Sequence, residues 1–179
     1  MNIQIADLTF EPMIPFENIA KRTAEIGAEL AEKYKDKTPV FVGVLNGSFM
    51  FMADLVKQVP IPCHIAFMKL SSYHGGLATT RTITEDLDLK VDIQGRDVVL
   101  VEDIVDTGNT LRYLIDKLKT LNPASVSVCA LLCKPEALEH DFPELEYIGF
   151  NIENKFVIGY GLDYQELGRN YKDIYQLVK

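Results

Sequence analysis

Val98-Val-Leu-Val-Glu-Asp-Ile-Val-Asp-Thr-Gly-Asn-Thr-Leu111 decides the fold. It opens on an unbroken apolar run, Val98–Val101, of the kind found in a strand buried on both faces. Two acids follow, Glu102 and Asp103. They stand where such a strand ends, and open α/β sheets bind ligands at the carboxyl ends of their strands. Neighbouring residues on extended backbone point to opposite faces, so the two carboxylates cannot share one task. Asp106-Thr-Gly-Asn-Thr110 then opens a helix. Gly108 lets the backbone approach a ligand, Thr107 and Thr110 supply hydroxyls, and the helix start supplies unpaired N–H groups. Together these make a cradle for one phosphate dianion. A lone Asp-x-x-Gly is ordinarily a helix cap, and isolated acids are ordinarily solvated. Here a buried strand, an acid pair, a third acid and a hydroxyl–glycine–hydroxyl turn form one continuous run.

Outward from this stretch, strand and helix patterns alternate. Ile19, Thr23, Ile26, Leu30 and Tyr34 recur at helical spacing, which predicts an amphipathic helix over Glu17–Tyr34. Pro39–Leu45 reads as a buried strand. Ser48 can cap a helix over Phe49–Gln58. Ile61–Leu70 is the next strand, and Thr110–Leu121 is a helix ended by Asn122-Pro123. Ser125–Leu132, Tyr147–Phe150 and Lys155–Ile158 read as further strands. This order predicts an α/β fold, a mainly parallel twisted sheet with helices on both faces. Ser71–Glu85 breaks the pattern with Ser71, Ser72, Gly75, Gly76, Thr79, Thr80 and Thr82. A polar, glycine-bearing loop of that length inside a domain is usually a functional segment.

The 179 residues suggest a single domain, 1–179. No window approaches the ~20 apolar residues of a membrane helix, and Met1–Pro15 lacks the pattern of a secretory signal. The expected location is therefore cytoplasmic. Cys63, Cys129 and Cys133 form an odd set with no disulfide framework and no histidine at zinc-ligand spacing. A net charge of −8 argues against nucleic acid and anionic membrane as partners. An acidic chain that binds phosphate needs backbone amides, a divalent cation or a local cation to do so. No Gly-x4-Gly-Lys-Ser/Thr is present, and Gly159-Tyr-Gly161 lacks the third glycine of a dinucleotide fingerprint.

The chain resembles the hypoxanthine–guanine phosphoribosyltransferases, among the type I phosphoribosyltransferases. Val98–Leu111 is similar to their phosphoribosyl-pyrophosphate signature. Further matches follow in order from about Val40 to Tyr171: Leu45-Asn-Gly-Ser-Phe-Met-Phe-Met-Ala-Asp-Leu55, Ser71-Ser-Tyr73, Lys134-Pro135 and Phe156-Val-Ile-Gly-Tyr-Gly-Leu-Asp-Tyr164, with Arg169 beyond. The resemblance implies the type I phosphoribosyltransferase fold, with a small hood formed by the terminal segments. It implies that Asp106, Thr107, Gly108, Asn109 and Thr110 hold a 5′-phosphate and that Asp106 exchanges a proton with purine N7. Glu102 and Asp103 would serve the ribose hydroxyls and Mg2+, whose preference is for hard oxygen ligands. Asp163 would provide a second metal contact on the pyrophosphate side and would also belong to the purine-binding set. Lys134, Phe156 and Val157 would bind the base. Leu45, Asn46, Gly47, Ser72, Tyr73 and Arg169 would bind pyrophosphate. Many relatives have Lys or Arg where this chain has Asn46, and their loop often carries a strained peptide bond. Some relatives have Lys at Asn109. Substrates would be phosphoribosyl pyrophosphate and 6-oxopurine bases, and the assembly a homodimer or homotetramer.

Two other readings stand beside this one. A donor-sensing regulator would keep the ribose-phosphate site without chemistry, and a transferase for orotate or adenine would need a different base pocket. Ser71–Glu85 resembles a lid that closes over the reacting centre and excludes water. Replacing Tyr73 with Ala should then depress turnover in a steady-state assay, and an unchanged rate would count against a lid.

Overall fold

In a computed structural model, described for residues 1–73, 82–87 and 89–178, the chain forms two sheets. The larger contains β3 (Val40–Leu45), β4 (His64–Tyr73), β5 (Thr82–Leu87), β6 (Asp97–Val105), β7 (Ser125–Cys133) and β8 (Leu145–Asn151). Their order is β5-β4-β3-β6-β7-β8. All neighbours pair in parallel except β4 and β5, which are antiparallel. The predicted α/β class and parallel sheet are therefore present. In β6, Val98, Val99, Leu100 and Val101 are fully buried. Successive side chains of a strand serve opposite faces. Val99 and Val101 accordingly join one apolar cluster, and Val98 and Leu100 the other.

Helices α1 (Phe16–Lys33) and α2 (Phe49–Lys57) cover the first face, and α3 (Asn109–Thr120) covers the second. Ile19, Thr23, Ile26 and Leu30 are all buried along α1, as their spacing requires. Ser48 does occupy the N-cap position of α2, but it is in the right-handed helical region and its side chain makes no capping hydrogen bond. Phe51, Met52 and Leu55 of α2 face the core, so Phe49 is the large apolar side chain that this helix exposes.

The second sheet, β1-β2-β10-β9, unites the two ends of the chain: β1 (Ile3–Ile5), β2 (Leu8–Ile14), β9 (Val157–Ile158) and β10 (Ile174–Leu177). Its neighbours are antiparallel. This is the hood of terminal segments implied by the resemblance. Phe10 and Ile158 are its fully buried members.

The segment expected as one loop over 71–85 is in part a β-ribbon. β4 continues through Tyr73, and β5 returns beside it with Tyr73 opposite Thr82 and Ser71 opposite Thr84. Thr82-Ile-Thr84 favours extended backbone because its side chains branch at Cβ. Residues 74–81 of the expected lid lie outside the described residues, as do the side chains of Ser72 and Tyr73. β6 also runs four residues past the predicted Val101 and so carries both acids within the strand. Among the described residues, no helix is long and apolar enough to cross a membrane.

Candidate active site

Parallel pairing delivers the ends of β3, β6 and β7 to one edge of the sheet. A cleft of about 340 Å³ opens there. It is lined by Leu45, Asn46 and Gly47 after β3, by Glu102 to Gly108 and Thr110 from β6 and its turn, and by Asp163 and Arg169. Three of the stretches quoted from the sequence, together with Arg169, thus contribute to one cleft, which most of the predicted phosphate, metal and pyrophosphate residues share.

The turn into α3 depends on Gly108, whose φ of 86° lies in the left-handed region that side chains rarely adopt. A Cβ here would also strike the Phe142 ring. Phe142 belongs to a segment that braces the turn from outside. The Glu139 backbone N–H donates to the Thr107 carbonyl at 2.9 Å, and the Asn109 side-chain amide donates to the Glu139 carboxylate at 2.8 Å. His140 Nε2 lies 2.8 Å from Asn109 Oδ1. Glu139, His140 and Phe142 carry no motif of their own, and only their position after the Lys134-Pro135 pair hinted at them.

The two acids of β6 diverge as the extended backbone requires. Glu102 is buried, and burial first, then the Asp103 charge, holds its carboxyl well above the usual range. Asp103 is partly exposed at the cleft, but its carboxyl is tucked inward. Oδ1 accepts the Ile104 backbone N–H at 2.9 Å, while Oδ2 occupies the space a Cβ on Gly47 would need. Glycine at 47 therefore permits the close approach of the β3 loop to the acid. Burial raises Asp103 to about 6, although the Ile104 hydrogen bond and the Arg169 charge pull it down. The Leu45–Asn46 peptide is cis.

On the opposite wall, Arg169 forms an ion pair with Asp163 at 2.6 Å and donates to the Gly161 carbonyl at 2.7 Å. The second Asp163 oxygen accepts the Glu166 backbone N–H. Among the described residues, no three or more His, Cys, Asp or Glu side chains come together to enclose a metal. Glu102, Asp103 and Asp163 nevertheless face one cleft as hard oxygen donors. That set fits Mg2+ completed by substrate oxygens and water better than an all-protein cage.

The base-reading candidates stand beside the cleft. Lys134 is buried, and its ammonium lies 2.7 Å from Asp106 Oδ2 and 3.3 Å from Asn154 Oδ1. Asp106 itself is half exposed. Phe156 is 43% exposed, so it is not the core aromatic that strands often carry. Its ring meets Tyr164 edge-on and Phe10 at a tilt, and it lines a second cleft with Glu11, Asn154, Lys155, Gln176 and Leu177. Val157 is buried and pairs with Gln176 of β10. Asn154 was not singled out from the sequence; a short amide two residues before Phe156 was its only signal.

An acid pair leaving a buried parallel strand, followed by a left-handed glycine and a helix start, defines an α/β protein equipped for an anionic, phosphorylated ligand. The chain belongs to the phosphoribosyltransferase family: the family model described as phosphoribosyl transferase domain matches residues 15–165. It is 47% identical over 164 residues to the hypoxanthine phosphoribosyltransferase of Salmonella typhimurium, covering 90% of this chain and 92% of that one. It is 44% identical over 158 residues to the hypoxanthine-guanine phosphoribosyltransferase of Streptococcus pneumoniae, covering 88% and 87%. The crystal structure of a hypoxanthine phosphoribosyltransferase from Staphylococcus aureus superposes with a TM-score of 0.87 at 40% identity, over 94% of this chain and 91% of that one.

Asp103 sets a pH signature. Its folded-state affinity for a proton exceeds that of the unfolded chain, whose carboxyl titrates near 3.8. The contribution therefore favours folding below that value and is lost as pH rises through about 6. Asp103→Asn removes a charge that is costly at pH 8. In metal-free protein it should raise unfolding free energy there by on the order of 1–2 kcal/mol, with the gain vanishing near pH 4. Urea unfolding at both pH values checks this; a gain confined to pH 4 would contradict it.

Proposed function

We propose that this chain is a purine-salvage transferase. It moves the 5-phosphoribosyl group from phosphoribosyl pyrophosphate to hypoxanthine, and to guanine, releasing the nucleoside monophosphate and pyrophosphate. The observation that carries this reading is the pairing of Lys134 with Asp106 at 2.7 Å, beside the phosphate turn. It sets a proton acceptor and a pure hydrogen-bond donor side by side, which is what attack by a 6-oxopurine needs. An ammonium offers three donors and no acceptor. It suits the O6 of hypoxanthine or guanine and opposes the amino group of adenine. The relatives named above are enzymes, and a donor-sensing regulator has no counterpart among them.

In the mechanism, the N–H groups and hydroxyls of Asp106–Thr110 grip the 5′-phosphate and fix the sugar. Phe156 stacks on the purine, Val157 offers backbone groups to its edge, and Lys134 holds O6. Asp106 takes the proton from N7 as the ring nitrogen attacks the anomeric carbon. Glu102 and Asp103 would steady the cationic sugar that forms as pyrophosphate leaves. Bound Mg2+ would be held by these acids and by Asp163, and would offset the charge that builds on pyrophosphate. Arg169 grips pyrophosphate with its planar fork, with Leu45–Gly47, Ser72 and Tyr73 completing that side. Asn46 brings no cation, so Arg169 and backbone N–H groups would carry more of the hold on pyrophosphate, alongside Mg2+ when it is bound. The segment 71–85 acts as the lid of this single domain. Free thiols at Cys63, Cys129 and Cys133 suit a cytoplasmic enzyme.

The direct assay mixes protein, Mg2+ and phosphoribosyl pyrophosphate with hypoxanthine, guanine, xanthine or adenine. Nucleotide should form with the 6-oxopurines and not with adenine. Asp106→Asn should lower kcat by about 10²–10⁴-fold, and full activity in that variant would remove it as the proton acceptor.

Self-association as a dimer or tetramer belongs to the same reading. Phe49, Ile65 and Phe67 are exposed by 41%, 51% and 38%, and Phe67 and Ser48, which precedes Phe49 in the chain, both border the space beside Gly43. Ile65 and Phe67 share one face of β4. Phe67→Asp should shift the mass measured by light scattering toward the monomer; an unaltered oligomer would place the interface elsewhere.

A further inference from the structure

Lys134 is held from two directions. Its own backbone N–H donates to the Val105 carbonyl at 2.9 Å, which seats the side chain beside Asp106, the residue that follows β6. From the other side, the Ile152 backbone N–H donates to the Cys133 carbonyl at 2.8 Å, which brings the chain after β8 past the same place. Two residues on, Asn154 presents Oδ1 to the ammonium at 3.3 Å. The facing atom must be the amide oxygen, because an ammonium has no acceptor to offer the NH2 group. Asn154 also lines the cleft that contains Phe156. It therefore links the group that reads O6 to the ring on which the base would stack.

We propose that Asn154 is a positioning residue, which aims Lys134 at the exocyclic oxygen of a 6-oxopurine; this rests on the reading of the site given above. A lysine head on a flexible four-carbon stem is poorly defined by a single anchor. Asp106 alone would draw the ammonium toward the proton acceptor. Asn154 opposes that pull with a neutral oxygen. Two of the three N–H donors then have fixed acceptors, and the third is committed to the base. Lys134 is buried while Asn154 is exposed. Substituting Asn154 should therefore change the aim of Lys134 without opening the core.

Asn154→Ala and Asn154→Asp test this in the full chain, with Mg2+, phosphoribosyl pyrophosphate and hypoxanthine. Asn154→Ala should raise the KM for hypoxanthine roughly tenfold, about the value of one oriented hydrogen bond to a charged group. KM for the pyrophosphate donor and the thermal midpoint should stay at wild-type values. Asn154→Asp keeps an acceptor oxygen and should recover most of the loss. A wild-type hypoxanthine KM in Asn154→Ala overturns the proposal, as does an Asp variant no better than Ala. Equal rises in both KM values with a lowered midpoint also overturn it, because they would mark a merely structural role. Wild-type protein inactive with hypoxanthine, guanine and xanthine would instead overturn the reading of the site, and is detected before any variant is made.

Discussion

Burial of Val98, Val99, Leu100 and Val101 fixes where Glu102 and Asp103 emerge. The strand is packed on both faces, so it cannot slip by one residue without turning its apolar side chains toward the wrong clusters. The acids that follow are therefore held in register with the ends of β3 and β7. Everything else at the site is placed relative to that edge. The Asn46–Gly47 loop closes against Asp103, and Lys134 is hydrogen-bonded to Val105 through the backbone. The Gly108 turn starts α3, whose buried Leu111, Leu114, Ile115 and Leu118 lock it onto the sheet.

That placement works against stability. Glu102 and Asp103 are both pushed toward the protonated form by burial, so an ionised pair is unfavourable in the free chain. A structural role would be served better by apolar residues. Retaining two carboxylates there makes sense if a bound cation and a cationic transition state repay the desolvation. Arg169 and Asp163 stand on the opposite wall. Their ion pair at 2.6 Å neutralises both charges in the free chain.

How far the sequence reveals this differs by element. The cradle was legible because all its parts fall in one run, where local spacing decides geometry. Helices α1 and α3 were legible because a 3.6-residue period survives any context. Strand ends were less so: β6 continues to Val105 because β7 offers it partners as far as Cys133, a long-range fact. The hood was legible only through resemblance, since Ile174 finds its partner Ile14 at the far end of the chain. Individual side-chain partners were hidden for the same reason. Asn154 reaches Lys134, and Phe142 reaches Gly108, only after the sheet has formed.

The central claim is that the turn after β6 holds the sugar phosphate. A crystal structure with phosphoribosyl pyrophosphate and Mg2+ tests it most directly. The account predicts the 5′-phosphate on the backbone N–H groups of Asp106–Thr110, with the ribose hydroxyls toward Glu102 and Asp103. A donor molecule bound elsewhere, with that turn vacant, would contradict it.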